Sequence, residues 1–154
     1  MTSDVHPPRR GVSWRIAATC GVLLSSAVIA RETLDWWLSP TTEFYARSVV
    51  STFSAVSIFV VAGLWSAWRS RSVVVGVLTG AAAGAISAAL VNIVSAAELA
   101  VRRDPHTMAT IAASGGVDEI FLLPILVIVP GTCCALAGAI VGKAASGLRR
   151  SRLA

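Results

Sequence analysis

The sequence predicts an all-α integral membrane protein, a four-transmembrane-helix bundle with both termini cytoplasmic. Three observations predict it. Hydrophobic residues make up 55% of the 154-residue chain and charged residues only 14%, with a mean hydropathy of +0.75; soluble domains carry about 25% charged residues. The ionisable residues also leave long uncharged runs between them, and the basic ones gather at one end of those runs. The same apolar content excludes intrinsic disorder, which requires a chain poor in apolar side chains.

The first run, Ile16–Ala30, has 15 residues. A helix needs about 20 to cross roughly 30 Å of hydrocarbon, so this one is expected to continue through Arg31, Glu32 and Asp35 to Leu38. Ser48–Trp68, Ser72–Ala97 and Ile120–Gly142 are each long enough alone. None alternates as a barrel strand does, which leaves helices as the structure that satisfies the backbone in lipid. The expected spans are residues 14–38, 45–68, 72–99 and 117–143, inside a domain covering 13–147. Residues 1–12 are expected to form a disordered cytoplasmic tail and 148–154 a basic one. In an alternative reading, Arg9, Arg10, the apolar run and Val28-Ile29-Ala30 form a secretory signal cleaved after Ala30, leaving three spans in the same orientation.

Charge sets the orientation. The N-terminus, the Arg69–Arg71 link and the C-terminal tail hold Arg9, Arg10, Arg15, Arg69, Arg71, Lys143, Arg149, Arg150 and Arg152, nine of the 13 basic residues. Arg31, Arg47, Arg102 and Arg103 fall on the other side. Lys and Arg mark the cytoplasmic face. Trp14, Trp65 and Trp68 are expected at the inner interface and Trp36 and Trp37 at the outer one, where indole sits best. Abundant Arg, Ala and Val with one Lys suggest a GC-rich bacterium and hence its cytoplasmic (inner) membrane.

The links are short. Ser39-Pro40 and Asp104-Pro105 read as N-caps followed by proline at the first helical position. Asp104-Pro105 is expected to open a short outer-surface helix over 105–113, ending at Ser114-Gly115-Gly116, with Met108, Ile111 and Ala112 lying on the membrane surface.

In lipid, helices associate through close packing of small residues and through interhelical hydrogen bonds. Gly76, Gly80, Gly84, Ala88, Asn92 and Ala96 recur at every fourth position of the third span, a glycine-zipper pattern. Gly138 and Gly142 give the fourth span its own motif, and Ala17, Gly21 and Ser25 a weaker one on the first. Such a stripe packs either within one bundle or against a second copy. Pro124 and Pro130 are expected to kink the fourth span.

Polar groups at depth carry a functional hypothesis. Asn92 lies on the stripe and is expected to face another helix, where an amide ordinarily hydrogen-bonds across the interface. Glu98, Asp118, Glu119 and Arg31 lie at the outer ends of their spans. Helix-dipole stabilisation of Asp118 and Glu119, and pairing of Arg31 with Asp35, account for them structurally. The sharper reading is an outward-facing acidic vestibule of Glu98, Asp118 and Glu119 that attracts cations or a basic partner segment.

Reactive constellations are missing from the sequence. Cys20, Cys133 and Cys134 lie in apolar runs without a Cys-x-x-Cys, and His6 and His106 lack ligand spacing, so no catalytic residue, cofactor or metal is expected. The net charge of +5 follows from topology and anionic lipid, without nucleic acid. The leading expectation is a non-enzymatic protein acting by helix association, as a homo-oligomer or as an accessory subunit of another membrane protein. The second is a small transporter or channel for a small solute.

Overall fold

A computed structural model of the chain describes residues 11–38, 43–101, 105–113 and 116–151. Its order is α1 (Trp14–Leu38), α2 (Glu43–Ser70), α3 (Val73–Val101), α4 (Pro105–Ala113), α5 (Val117–Leu126) and α6 (Ile128–Ser151). The Ser39-Pro40 cap, Asp104, Ser114, Gly115 and most of the expected N-terminal tail lie outside the described residues, as do the side chains of Asp35, Trp36 and Trp37.

Four stretches are long and apolar enough to cross a membrane: Trp14–Leu34, Val49–Ser70, Val73–Val101 and Ile120–Leu148. The distribution of side chains agrees. The interior is built from small residues, among them Ala17, Ala62, Ala83, Ala135 and Ala139, together with the hydroxyls of Ser66, Thr79 and Ser95. Bulky residues such as Phe53, Leu122, Val129 and Ile140 point outward. A water-soluble bundle would bury the large apolar side chains and expose the small polar ones; the reverse arrangement suits lipid. The chain is a small multi-pass membrane protein.

Local chemistry sets the helix ends. The Ser13 carbonyl accepts the first intrahelical bond of α1 from Ala17 N–H at 2.9 Å, as an N-cap does. Ser72 performs the same role for α3, accepting Gly76 N–H on its carbonyl and Val75 N–H on Oγ. Between α2 and α3, Arg71 adopts φ 58°. That left-handed residue ends α2 and turns the chain within a short link.

The bundle is diamond-shaped in section. α2 and α3 touch across the short diagonal, α6 packs on both, and α1 packs on α3 and α2. The most extensive contact is between α2 and α6, where glycine lets two backbones meet. A Cβ on Gly138 would overlap the Val60 carbonyl, and one on Gly142 the Leu64 carbonyl.

The prolines interrupt the fourth span as expected, and one expectation, at Ile111, changes. The fourth span is two helices, interrupted at Val127 between Pro124 and Pro130. Proline supplies no N–H, so the carbonyls four residues earlier, Ile120 and Leu126, lose their helical donors. Bonds from Val127 N–H to Leu123 O (3.1 Å) and from Gly131 N–H to Val127 O (2.9 Å) carry the helical path across the gap. Ile111 does not lie on the surface: it is buried, and its carbonyl accepts Gly116 N–H at 2.9 Å, while Met108 and Ala112 are exposed.

Candidate functional site

The α3 stripe serves two faces. Its inner half is enclosed by α2 and α6: a Cβ on Gly76 would lie 2.6 Å from Ala139 Cβ and 2.8 Å from the Gly63 carbonyl oxygen. Gly80 meets Ala135, and Gly84 meets the ring of Phe59 and Ile128. Ala88 is buried as well. A four-residue step advances a helix by about 400°, so the stripe drifts about 40° at each step. Between Gly76 and Asn92 the drift accumulates to about 160°.

Asn92 therefore leaves the groove that holds Gly76, and no described residue gives its Oδ1 a hydrogen bond. It is half-buried beside exposed Ala85, Ala89 and Ala96. Its Oδ1 is shielded yet has no hydrogen-bond partner among the described residues.

A second polar group lies between α1 and α3. Ser95 is fully buried and donates from Oγ to Glu32 Oε2 at 3.0 Å. Glu98 lies one turn further along the same face of α3 as Ser87, Val91 and Ser95. Its Oε2 is buried with no partner among the described residues. Arg31 is half-buried on α1 beside Glu32. Asp118 is exposed in the first turn of α5, so it and the Glu98 Oε2 occupy different surroundings. Glu119 lies in α5, but its side chain is outside the described residues.

Residue spacing alone does not reveal Glu32 and Ser95 as a pair. The signal available is their common level at one end of antiparallel helices, but Ser95 stands 63 residues away in the chain. Nor does spacing reveal a hydroxyl cluster at the other end of the bundle. Thr79 Oγ1 donates to the Val75 carbonyl at 2.7 Å, which uses its only hydrogen. Ser66 Oγ must therefore be the donor in the 2.8 Å bond between the two hydroxyls, and Ser13 N–H donates to the same Thr79 oxygen at 3.2 Å. Thr79 thus gives one bond and accepts two, filling its capacity, and joins the start of α1 to α2 and α3.

The two ends differ in chemistry. In the Ser13–Ser66–Thr79 cluster the Thr79 hydroxyl is saturated. At the other end, the Glu98 Oε2 and the Asn92 Oδ1 are shielded acceptors with no partner among the described residues. Cys20 is buried and Cys133 exposed, and no group of three or more metal-ligating side chains occurs among the described residues. No protein-family model, curated protein or solved structure matches the chain.

Proposed function

We propose that this small membrane protein acts by helix–helix association, through the face of α3 that carries Ala85, Ala89, Asn92 and Ala96, as a homo-oligomer or as an accessory subunit. The observation that carries the reading is the row of exposed Ala85, Ala89 and Ala96 around half-buried Asn92, whose side-chain Oδ1 has no partner among the described residues. Alanine on a lipid-facing surface permits close approach of another backbone, and an interhelical hydrogen bond contributes about 0.6–2 kcal/mol. The glycine half of the stripe is already enclosed by α2 and α6, so the association surface is the alanine half.

Oxidative crosslinking in native membranes tests this. In a chain lacking Cys20, Cys133 and Cys134, a cysteine at Ala89 is expected to give a self-dimer or one defined heavier adduct, and Asn92→Leu is expected to weaken it. A cysteine replacing exposed Phe53 on α2 is the comparison. Equal crosslinking from both positions contradicts the reading.

A second reading, a small transporter or channel, rests on the buried Oε2 of Glu98, without a partner among the described residues and one helical turn from the Ser95 that bonds Glu32. Ionisable groups in spans commonly mark ion or proton paths. It predicts cation or proton flux in liposomes that Glu98→Gln abolishes. Equal flux from the variant, or no flux above empty liposomes, removes it.

A further inference from the structure

We infer that α5 is a movable half-helix that covers the Ser95–Glu98 end of α3 and swings away from it while α6 stays fixed. This stands independently of the association reading.

The first observation is a contrast in anchoring along one span. None of the described side chains of α5 is buried; Ile120, Phe121 and Pro124 are half-buried, and the others face outward. α6 buries Gly131, Ala135, Gly138, Ala139 and Gly142, and backbone sits against backbone at Gly138 and Gly142. Elements with few buried contacts open at lower free energy than elements locked into the core.

The second observation is a pivot at each end. At the inner end, Pro124 and Pro130 flank the interruption at Val127, and the loss of helical donors to the Ile120 and Leu126 carbonyls lowers the cost of bending there. Just beyond, a Cβ on Gly131 would run into the Phe59 ring, so α6 is held firmly directly after the bend. At the outer end, Gly116 has φ 91° and no side chain caps α5. The Gly116 N–H bond to buried Ile111 tethers that end while leaving its dihedrals free to rotate.

The third observation is what lies under the rod. Antiparallel register pairs Gly80 with Ala135 and Gly84 with Ile128, and α5 touches chiefly α3. Continuing outward, α5 runs along the part of α3 that holds Ser95 and Glu98. There the Glu98 Oε2 is buried without a partner among the described residues. Moving α5 aside restores it to water, which offsets part of the cost of opening.

The test uses cysteine reactivity in membranes. Ser95→Cys, in a chain lacking the native cysteines, is expected to react with a membrane-impermeant thiol reagent added on the α4 side. With Pro124→Ala and Pro130→Ala together, which restore the helical bonds, the rate is expected to fall about tenfold. No reaction, or an unchanged rate with the prolines replaced, overturns the proposal. Hydrogen exchange on the unaltered chain in detergent gives a reading that no misfolded variant can confuse. Amides of α5 are expected to exchange at least about tenfold faster than those of residues 131–142, and equal rates overturn the proposal.

Discussion

Gly63 of α2 and Ala135 of α6 meet backbone to backbone: a Cβ on Gly63 would fall on the Ala135 carbonyl group. Ala135 is itself fully buried, and its methyl fills the place where a Gly80 side chain would stand. Three helices therefore converge on one alanine because two glycines make room for it. Close approach of this kind replaces the hydrophobic driving force that lipid removes.

Substitutions that add volume at this junction are expected to break it. Gly63→Val and Gly138→Leu each force a side chain into a neighbouring carbonyl, and the expected loss is at least about 3 kcal/mol. Gly147→Val is the control, since nothing lies within 4 Å of a Cβ there. Thermal aggregation in detergent should separate the first two from the third, and three similar midpoints would contradict this packing.

Phe59 is the largest fully buried side chain among the described residues. Its ring occupies the notch between Gly84 and Gly131, holding α6 just past the bend. Phe59→Ala is expected to cost about 3–5 kcal/mol, measured by reversible unfolding in mixed micelles. A loss near that of an exposed residue such as Phe53→Ala would show that the ring is not the wedge described.

Thr79 supplies the third prediction. Thr79→Val keeps the shape and removes the oxygen that receives Ser66 and Ser13, with an expected loss of about 1–2 kcal/mol. Thr79→Ser retains the hydroxyl and should recover most of it. If Val and Ser behave alike in the same unfolding measurement, the hydroxyl cluster contributes only packing.

The Glu32–Ser95 bond should be felt through α1. Ser95→Ala removes the hydroxyl that donates to Glu32 Oε2, at an expected cost of about 1–3 kcal/mol. Protease sensitivity of the α1 end beyond Ala30 should rise. Unchanged stability and cleavage would mean that water replaces the lost donor.

Much of the architecture is legible in the sequence because lipid imposes a simple rule: an uncharged run of sufficient length must be helical. Ser48–Trp68 lies within α2, and Ser72–Ala97 lies within α3 apart from its capping serine, with the Arg69–Arg71 link between them. The importance of Gly63 is not legible. It is a lone glycine in its run, and its role comes from Ala135, which the sequence does not pair with it. The destination of Asn92 is half legible. Its four-residue spacing from Ala88 links it to the stripe, but the drift that carries it out of the groove counts only once α2 and α6 are known to cover the other half. The Glu32–Ser95 contact depends on the relative height of α1 and α3, which residue types alone do not set.

We propose that the chain crosses the membrane four times and brings both ends back to its arginine-rich, cytoplasmic side. A reporter that distinguishes cytoplasm from exterior, fused in turn to residue 1, to residue 154 and within the link between α3 and α4, measures this directly. A cytoplasmic signal is expected from both ends and an external one from the link. Ends reporting from opposite sides, or a cytoplasmic link, would contradict it.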